Sequence, residues 1–374
     1  MSIWSSRPKN SRHEKNRPHL RAMFLTGLGT AVPRRRYEQP HCWAAIRKAP
    51  QFSGLDSRSR ALLKRLLSGK NGIQTRHLAF EDLGDAFALT PDALHARFAE
   101  HAPVLASQAG EKALDAARLL PGEVDAVIVS TCTGYLCPGL SSYVSQRLRL
   151  NRGVLALDLV GLGCGAALPN LRTAKALLAS GQARHVLSIC VEICSAALYL
   201  DNDPGVLISA CLFGDGAGAA ILSSRPAHHS RRVEWKAEGS ILSPTERDLL
   251  RFEQRGGMLR NILHRDVPRL AAKHAKGVLR EVMNRVDLNP TDVAAWILHA
   301  GGREVLAAVQ KQLCLSETDL ALSATVLRDY GNLSSPFVLF VLEKALAESA
   351  PGGWWWMSSF GAGFSCHGAL WRVD

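Results

Sequence analysis

Residues 159–167 read Leu159-Val160-Gly161-Leu162-Gly163-Cys164-Gly165-Ala166-Ala167. An apolar run from Val154 to Val160 leads into this stretch, and an apolar-periodic segment carrying Leu171 and Leu178 follows it. The pattern predicts a buried strand, a sharp glycine-permitted turn and a helix. A thiol on such a turn stands exposed at the positive end of a helix, a position that favours thiolate and nucleophilic chemistry. Cysteine is equally at home as a small core hydrophobe, so a catalytic Cys164 requires partners elsewhere in the chain.

Working outward, short β-branched runs alternate with longer helical patterns, the signature of sheets covered by helices in an α/β architecture. Strands are expected at Val124–Val129, Val154–Val160, Val186–Val191, Ala217–Leu222, Ala295–Leu298 and Trp354–Ser358. Helices are expected at Cys164–Ser180, Val267–Val286, Arg303–Leu313 and Ser334–Glu348. Two segments echo each other: Glu123-Val-Asp-Ala-Val-Ile-Val-Ser with Thr291-Asp-Val-Ala-Ala-Trp-Ile-Leu, and Phe213-Gly-Asp-Gly-Ala-Gly with Phe360-Gly-Ala-Gly-Phe-Ser. Such echoes betray a duplicated architecture. The polar, basic stretch Ser223–Arg232 supplies the joint, giving a first half over 23–225 and a second over 226–374.

Composition bounds the function. The 374 residues suffice for two ordinary domains, and with 47% hydrophobic and 21% charged residues the chain reads as globular. The formal charge of +12, from 45 Lys and Arg against 33 Asp and Glu, favours anionic partners. Part of it lies in a basic, tail-like segment over 1–22, which offers a peripheral membrane contact. The apolar run Met23–Val32 follows this tail as in a secretory signal, but its two glycines and two threonines read better as a first strand. Asp158 interrupts the longest apolar stretch, so no membrane span is expected. Nine cysteines, an odd count, lie partly in strand-like runs and show no C-x-x-C spacing. A reducing, cytoplasmic compartment follows, without disulfide framework or metal site.

The second half offers the partners that Cys164 requires. His299 ends the strand Trp296-Ile-Leu-His and precedes Ala300-Gly301-Gly302, at a strand's carboxyl end, where α/β sites gather. Asn332 lies in Tyr330-Gly-Asn-Leu-Ser-Ser-Pro336, a loop opening into a helix. A satisfied core histidine and a helix N-cap are the plain alternatives.

The order Cys164, His299, Asn332, each at a strand-to-helix turn, resembles the thiolase-fold condensing enzymes. The resemblance is strongest to the type III polyketide synthases, the chalcone synthase-like family, over about residues 23–371. It rests on Phe213-Gly-Asp-Gly, His299-x-Gly301-Gly, Tyr330-Gly-Asn-x-Ser-Ser and Phe360-Gly361-x-Gly363. It implies a duplicated, five-layered αβαβα thiolase fold and a homodimer. It also implies an acyltransferase that works on CoA thioesters with no metal or other cofactor.

By that resemblance Cys164 takes the starter acyl group, from CoA or an acyl carrier protein. His299 and Asn332 then hold the malonyl-CoA carbonyl during decarboxylation. Phe213 shapes the cavity mouth, and Ser334, Gly301, Gly361 and Gly363 fall at the cavity. Lys64, Arg65 and Lys70 resemble the clamp on the CoA phosphates. Departures from plant members are Cys137 before Pro138, Cys194 and Ala197 in place of threonines, and Ala362 in place of proline. The segment between Gly257 and Asp266 also looks short, and the family's second gatekeeper phenylalanine cannot be placed there. These features and Val-Glu192-Ile-Cys resemble the bacterial branch that makes alkylresorcinols and alkylpyrones from long acyl starters. Cys194 and Ala197 imply a wide, apolar cavity wall. The enzyme alternative is a β-ketoacyl-acyl carrier protein synthase III, whose His-Gln-Ala-Asn differs from His299-Ala-Gly-Gly. A basic nucleic-acid or membrane-surface protein is a lesser alternative, since no nucleic-acid-binding motif accompanies the charge.

Overall fold

The structure is a computed structural model that describes residues 22–374. The basic segment over 1–22, with its membrane contact, lies outside the described residues except for Ala22. The first half runs β1 (Met23–Ala31), β2 (Arg36–Glu38), α1 (Gln39–Ile46), α2 (Pro50–Ser53), α3 (Ser57–Arg65), β3 (Thr75–His77), α4 (Pro91–Ala117), β4 (Ala126–Thr131), α5 (Leu140–Leu148), β5 (Leu155–Val160), α6 (Ala167–Ala179), β6 (His185–Glu192), α7 (Pro204–Leu212) and β7 (Gly216–Ser223). The second runs β8 (Val233–Leu242), β9 (Leu250–Arg255), β10 (Met258–Leu263), α8 (Val267–Val286), β11 (Val293–Leu298), α9 (Arg303–Leu313), α10 (Glu317–Tyr330), α11 (Phe337–Ala347), β12 (Gly353–Gly361) and β13 (Ser365–Val373).

Nine strands pair in the order β11-β12-β13-β8-β1-β7-β6-β4-β5. The two halves meet where Met23–Leu25 of β1 pair with Val233–Trp235 of β8. Outward from that seam the pattern repeats. β1 pairs β7 antiparallel, β7 pairs β6 antiparallel and β6 pairs β4 in parallel; β8, β13, β12 and β11 follow the same sequence. Both sequence echoes fall on matching places, β4 with β11 and the turn before β7 with the turn before β13.

Helices α6 and α11 pack between the halves, α4 and α5 cover the first, and α8 and α9 cover the second. This is the five-layered αβαβα thiolase fold. The middle layer is apolar because it is covered on both sides; on α11 Phe337, Val338, Leu339, Phe340, Val341 and Leu342 are all buried. One polar group enters it with its hydrogen bonds made. The Asn170 Nδ2 of α6 donates to Ser130 Oγ and to the Ile189 carbonyl, and its Oδ1 accepts from Ser188 Oγ.

Two helix starts differ from the sequence reading. The helix expected from Cys164 begins at Ala167, and Cys164 sits on a 3₁₀ turn, Gly163–Gly165. Gly161 (φ 81°) and Gly163 (φ 59°) are left-handed there, which reverses the chain before a helix can form. The helix expected from Ser334 begins at Phe337, because Ser334 is itself left-handed (φ 60°) and Pro336 occupies the N-cap.

The turn that carries Cys164 fits under the end of β12 only because Gly165 and Gly361 have no side chains. A Cβ on Gly361 would lie 2.5 Å from the Leu162 carbonyl oxygen and against Gly165 N. A Cβ on Gly165 would in turn meet Gly361 N at 3.1 Å. Gly361→Ala is therefore expected to force the halves apart at this point and to destabilise the fold by about 1–3 kcal/mol, as overpacking does. Urea unfolding measures that loss; an unchanged midpoint would mean that the contact gives way freely.

Candidate active site

Cys164, His299 and Asn332 line one cavity of about 520 Å³. Each arrives from a strand end or strand-like segment: Cys164 after β5, His299 after β11, and Asn332 from the loop between α10 and α11. His299 is fixed by its backbone N–H, which donates to the Ser358 carbonyl at 2.9 Å. Its ring packs edge-on against Phe337 (5.3 Å) and Phe360 (5.0 Å). Asn332 bonds the backbone on either side of Phe213, its N–H donating to the Leu212 carbonyl and its carbonyl accepting from Gly214 N–H. The Asn332 side chain accepts from Ser334 N–H at 2.8 Å and donates to the Gly301 carbonyl at 3.3 Å. One amide hydrogen is left to point at a ligand.

Electrostatics departs from the sequence reading, which put a thiolate on the turn. Burial pushes the Cys164 thiol up to about 12; the Ser334 hydroxyl, donating to Sγ at 3.2 Å, opposes this, and nearby Glu192 adds to it. A helix terminus contributes ~0.3–1 kcal/mol, too little to move a pKa by one pH unit. Burial also lowers His299 to about 3. Each group taken alone is neutral here, and no hydrogen bond joins the thiol to the imidazole. Neither ring nitrogen of the buried His299 has a hydrogen-bond partner in the structure. Orphaned buried nitrogens facing a cavity mark a place for a ligand.

Below Cys164 lies a polar network that the sequence reading gave no role. Glu192, at the end of β6 and fully buried, accepts from Ser335 Oγ (2.6 Å), Thr133 Oγ1 (2.9 Å) and Cys132 N–H (3.0 Å). Burial raises its pKa and these donors oppose the rise. Cys132 Sγ lies 3.3 Å from Glu192 and 3.6 Å from Ser334 Oγ. Cys132 follows β4 as His299 follows β11, but the internal echo sets Thr131, one residue earlier, opposite His299 and so did not reveal it.

The other expected site residues divide. Phe213, Gly301 and Arg65 line the large cavity, together with His264, Arg265 and Arg303, basic side chains missed from the sequence. Lys64 is exposed and lies off that cavity, because on α3 it stands two residues from the cavity-lining Leu62 and so on roughly the opposite side of the helix. Lys70 closes a short π-helical turn, Leu66–Lys70. Gly361 lies against the Cys164 turn at Leu162 and Gly165, whereas Gly363 (φ 124°) faces Leu242 and Ser365. Cys137 is exposed and lines no part of the cavity within the chain.

Cys194 and Ala197 do not border a wide wall. With Phe213, Ser209 and Leu78 they enclose about 20 Å³, closed by Phe252 and Asn261 of the β9–β10 ribbon. Apolar periodicity could not reveal Phe252, which comes from a two-stranded ribbon outside the main sheet. Among the described residues no group of His, Cys, Asp and Glu is arranged to hold a metal ion.

The family model for FAE1/type III polyketide synthase-like proteins matches residues 55–238, and that for the C-terminal domain of chalcone and stilbene synthases matches 242–372. The chain belongs to the type III polyketide synthase family. It is 31% identical to 1,3,6,8-tetrahydroxynaphthalene synthase of Streptomyces peucetius subsp. caesius over 94% of this chain and 93% of the relative. It is 27% identical to the alpha-pyrone synthesis polyketide synthase-like Pks18 of Mycobacterium tuberculosis, over 95% and 92%. Among solved structures, PKS-I from the brown alga Ectocarpus siliculosus superposes with a TM-score of 0.86 at 26% identity, covering 94% of this chain and 98% of that one. This polyketide synthase is thus an acyl-transferring, Claisen-condensing enzyme that uses CoA thioesters and calls for no cofactor. The single-condensation alternative and the nucleic-acid alternative fall away.

The neutral resting pair has a measurable consequence. If His299 takes the thiol proton, as its place on the same cavity allows, His299→Ala should slow alkylation of Cys164 at least about tenfold near neutral pH. The rate should then rise about tenfold per pH unit throughout the alkaline range that the fold withstands, following the thiolate fraction of a thiol pushed up to about 12. Peptide mapping after limited iodoacetamide treatment gives both rates; identical profiles for the two proteins would separate His299 from the thiol.

Proposed function

We propose that Cys164 carries the acyl chain and that His299 and Asn332 handle the malonyl group, in an iterative decarboxylative condensation followed by cyclisation. The observation that supports this is the convergence of a thiol, an unpartnered imidazole and a carboxamide with a spare N–H on one cavity. In the loading step the Cys164 sulfur attacks the starter thioester carbonyl, and its proton passes through His299 to the departing CoA thiol. Malonyl-CoA then loses carbon dioxide, and the enolate oxygen is held by His299 and the Asn332 Nδ2. The enolate carbon attacks the Cys164 thioester, the sulfur leaves, and a chain longer by two carbons remains on CoA, ready to be reloaded.

The starter read from the cavity is an aliphatic acyl group, including the long-chain fatty acyl groups, with an alkylresorcinol or alkylpyrone as product. Leu62, Leu66, Ile208, Leu212, Leu250 and Leu263 give the cavity aliphatic walls. The Mycobacterium relative's association with α-pyrone synthesis supports the cyclised product. Delivery on CoA fits the basic residues Arg65 and Arg265, whose guanidinium groups suit phosphate; a carrier protein presents the same thioester. The halves 23–225 and 226–374 act as the two domains of one cytoplasmic catalytic unit. A homodimer fits the exposed edge of the sheet, where Leu155 (43%), Val160 (57%) and Tyr135 (69%) face outward near Cys137.

Cys164→Ala should abolish product while sparing part of the malonyl-CoA decarboxylation, because both donors survive. Asn332→Ala should cut decarboxylation itself by about 10²-fold, as removal of an oxyanion donor does. Mass spectrometry of the acetyl-CoA released reads both, and full decarboxylation in Asn332→Ala would overturn its role. For the starter, palmitoyl-CoA should exceed coumaroyl-CoA in kcat/KM, and the reverse order would overturn the aliphatic assignment.

A further inference from the structure

Asn332 reaches the cavity from a segment that belongs to no helix and no named strand. It is held where it crosses the chain leaving α7, in a single parallel bridge between Phe213 and Asn332. The Asn332 N–H donates to the Leu212 carbonyl at 2.8 Å, and the Gly214 N–H donates to the Asn332 carbonyl at 3.0 Å. The place of the carboxamide is therefore set by the path that residues 212–214 take beyond the end of α7.

One buried side chain fixes that path. Arg76, in the short strand β3, is 2% exposed. Its Nη1 donates to the Ala210 carbonyl in the last turn of α7 and to the Phe213 carbonyl just beyond it, both at 2.8 Å. Its stem lies against the residue that precedes Asn332, since a Cβ on Gly331 would come to 3.0 Å from Arg76 Cγ. The neighbours of Arg76 grip the same two segments. Thr75 Oγ1 donates to the Asp329 carbonyl at 2.6 Å, and the His77 carbonyl accepts from Asp215 N–H at 2.8 Å.

A cation suits the C-terminus of a helix, where the last carbonyls lack partners within the helix. Burying one is costly all the same. Arg76 Nε has no hydrogen-bond partner, and among the described residues its guanidinium joins no carboxylate. A cap alone needs no such cost. The guanidinium adds a rigid, planar donor that holds two carbonyls on either side of Leu212 in one orientation, and Leu212 is the residue whose carbonyl receives Asn332.

We infer that Arg76 is a positioning residue for the condensation, which aims the Asn332 carboxamide at the malonyl thioester by fixing the exit of α7. Arg76 lines no part of the large cavity and acts only through residues 210–214. The inference rests on the enolate-holding role proposed for Asn332.

The test is malonyl-CoA decarboxylation, with kcat and KM measured separately, in Arg76→Lys and Arg76→Met, each alone and combined with Asn332→Ala. Arg76→Met should lower kcat about tenfold, part of the roughly 10²-fold expected for losing the donor outright. KM for malonyl-CoA should stay within about twofold, and the rate of Cys164 alkylation should not change. Arg76→Lys keeps the charge and should lose only about threefold. In the Asn332→Ala background neither substitution should cost more than about a further 1.5-fold, because the group that Arg76 places is gone. An arginine that merely supports the fold predicts the same further loss in both backgrounds, and that result overturns the inference. A wild-type kcat in Arg76→Met, or an effect confined to KM, overturns it as well. Should Arg76→Met fail to fold, the threefold loss in Arg76→Lys and its disappearance in the double variant decide the matter. Full decarboxylation in Asn332→Ala would overturn the role proposed for Asn332 together with this inference, whereas loss there with indifferent Arg76 variants would overturn the inference alone.

Discussion

The site exists because two pieces of backbone touch where no side chain intervenes. The turn that presents Cys164 and the loop that closes β12 approach until Gly165 and Gly361 are in direct contact. Ser359 Oγ donates to the Gly165 carbonyl and fixes the approach. This contact joins the half that carries the thiol to the half that carries His299 and Asn332. A methyl group at either glycine would intrude on backbone, which cannot swing aside as a side chain can. The apolar middle layer of α6 and α11 presses the same two halves together, so the driving force and the point of contact coincide.

Burial then decides how the site is charged. The apolar surroundings that hold Phe337 and Phe360 against His299 also strip water from thiol and imidazole, and both rest in their neutral forms. Neutral partners do not lose reactivity in such a place; they lose the ability to ionise separately. A proton moved from sulfur to ring would create opposite charges in a poorly screened space, where their attraction is large. Ser334 assists by donating to the sulfur, and its left-handed backbone aims the hydroxyl there. Glu192 works in the opposite direction, disfavouring negative charge on the thiol.

Much of this was legible in the chain. Glycines at 161, 163 and 165 around one cysteine announce a turn, because only glycine passes through left-handed backbone without cost. The repeated strand patterns announce duplication, and α8 and α9 start and stop where their apolar periods do. Helix starts at Cys164 and Ser334 were misjudged for a local reason: left-handed residues and a proline delay the helix in ways that apolar spacing does not register. The thiolate was misjudged for a long-range reason. Helix polarity is written in the local sequence, whereas desolvation comes from Phe337, Phe360 and the other half of the molecule.

Residue type and order by themselves determined the α/β class, the duplication, the candidate positions Cys164, His299 and Asn332, and the kinship with condensing enzymes. All of these depend on near neighbours or on motifs short enough to be read in one pass. Only the tertiary structure decided which basic side chains face the cavity, that Lys64 turns away from it, and that Glu192 and Cys132 lie beneath Cys164. It likewise decided the shape of the space beside Cys194 and Ala197. Small residues there suggest room, but the room is filled by Phe252, more than fifty residues further along the chain, and volume is a property of everything that surrounds a point.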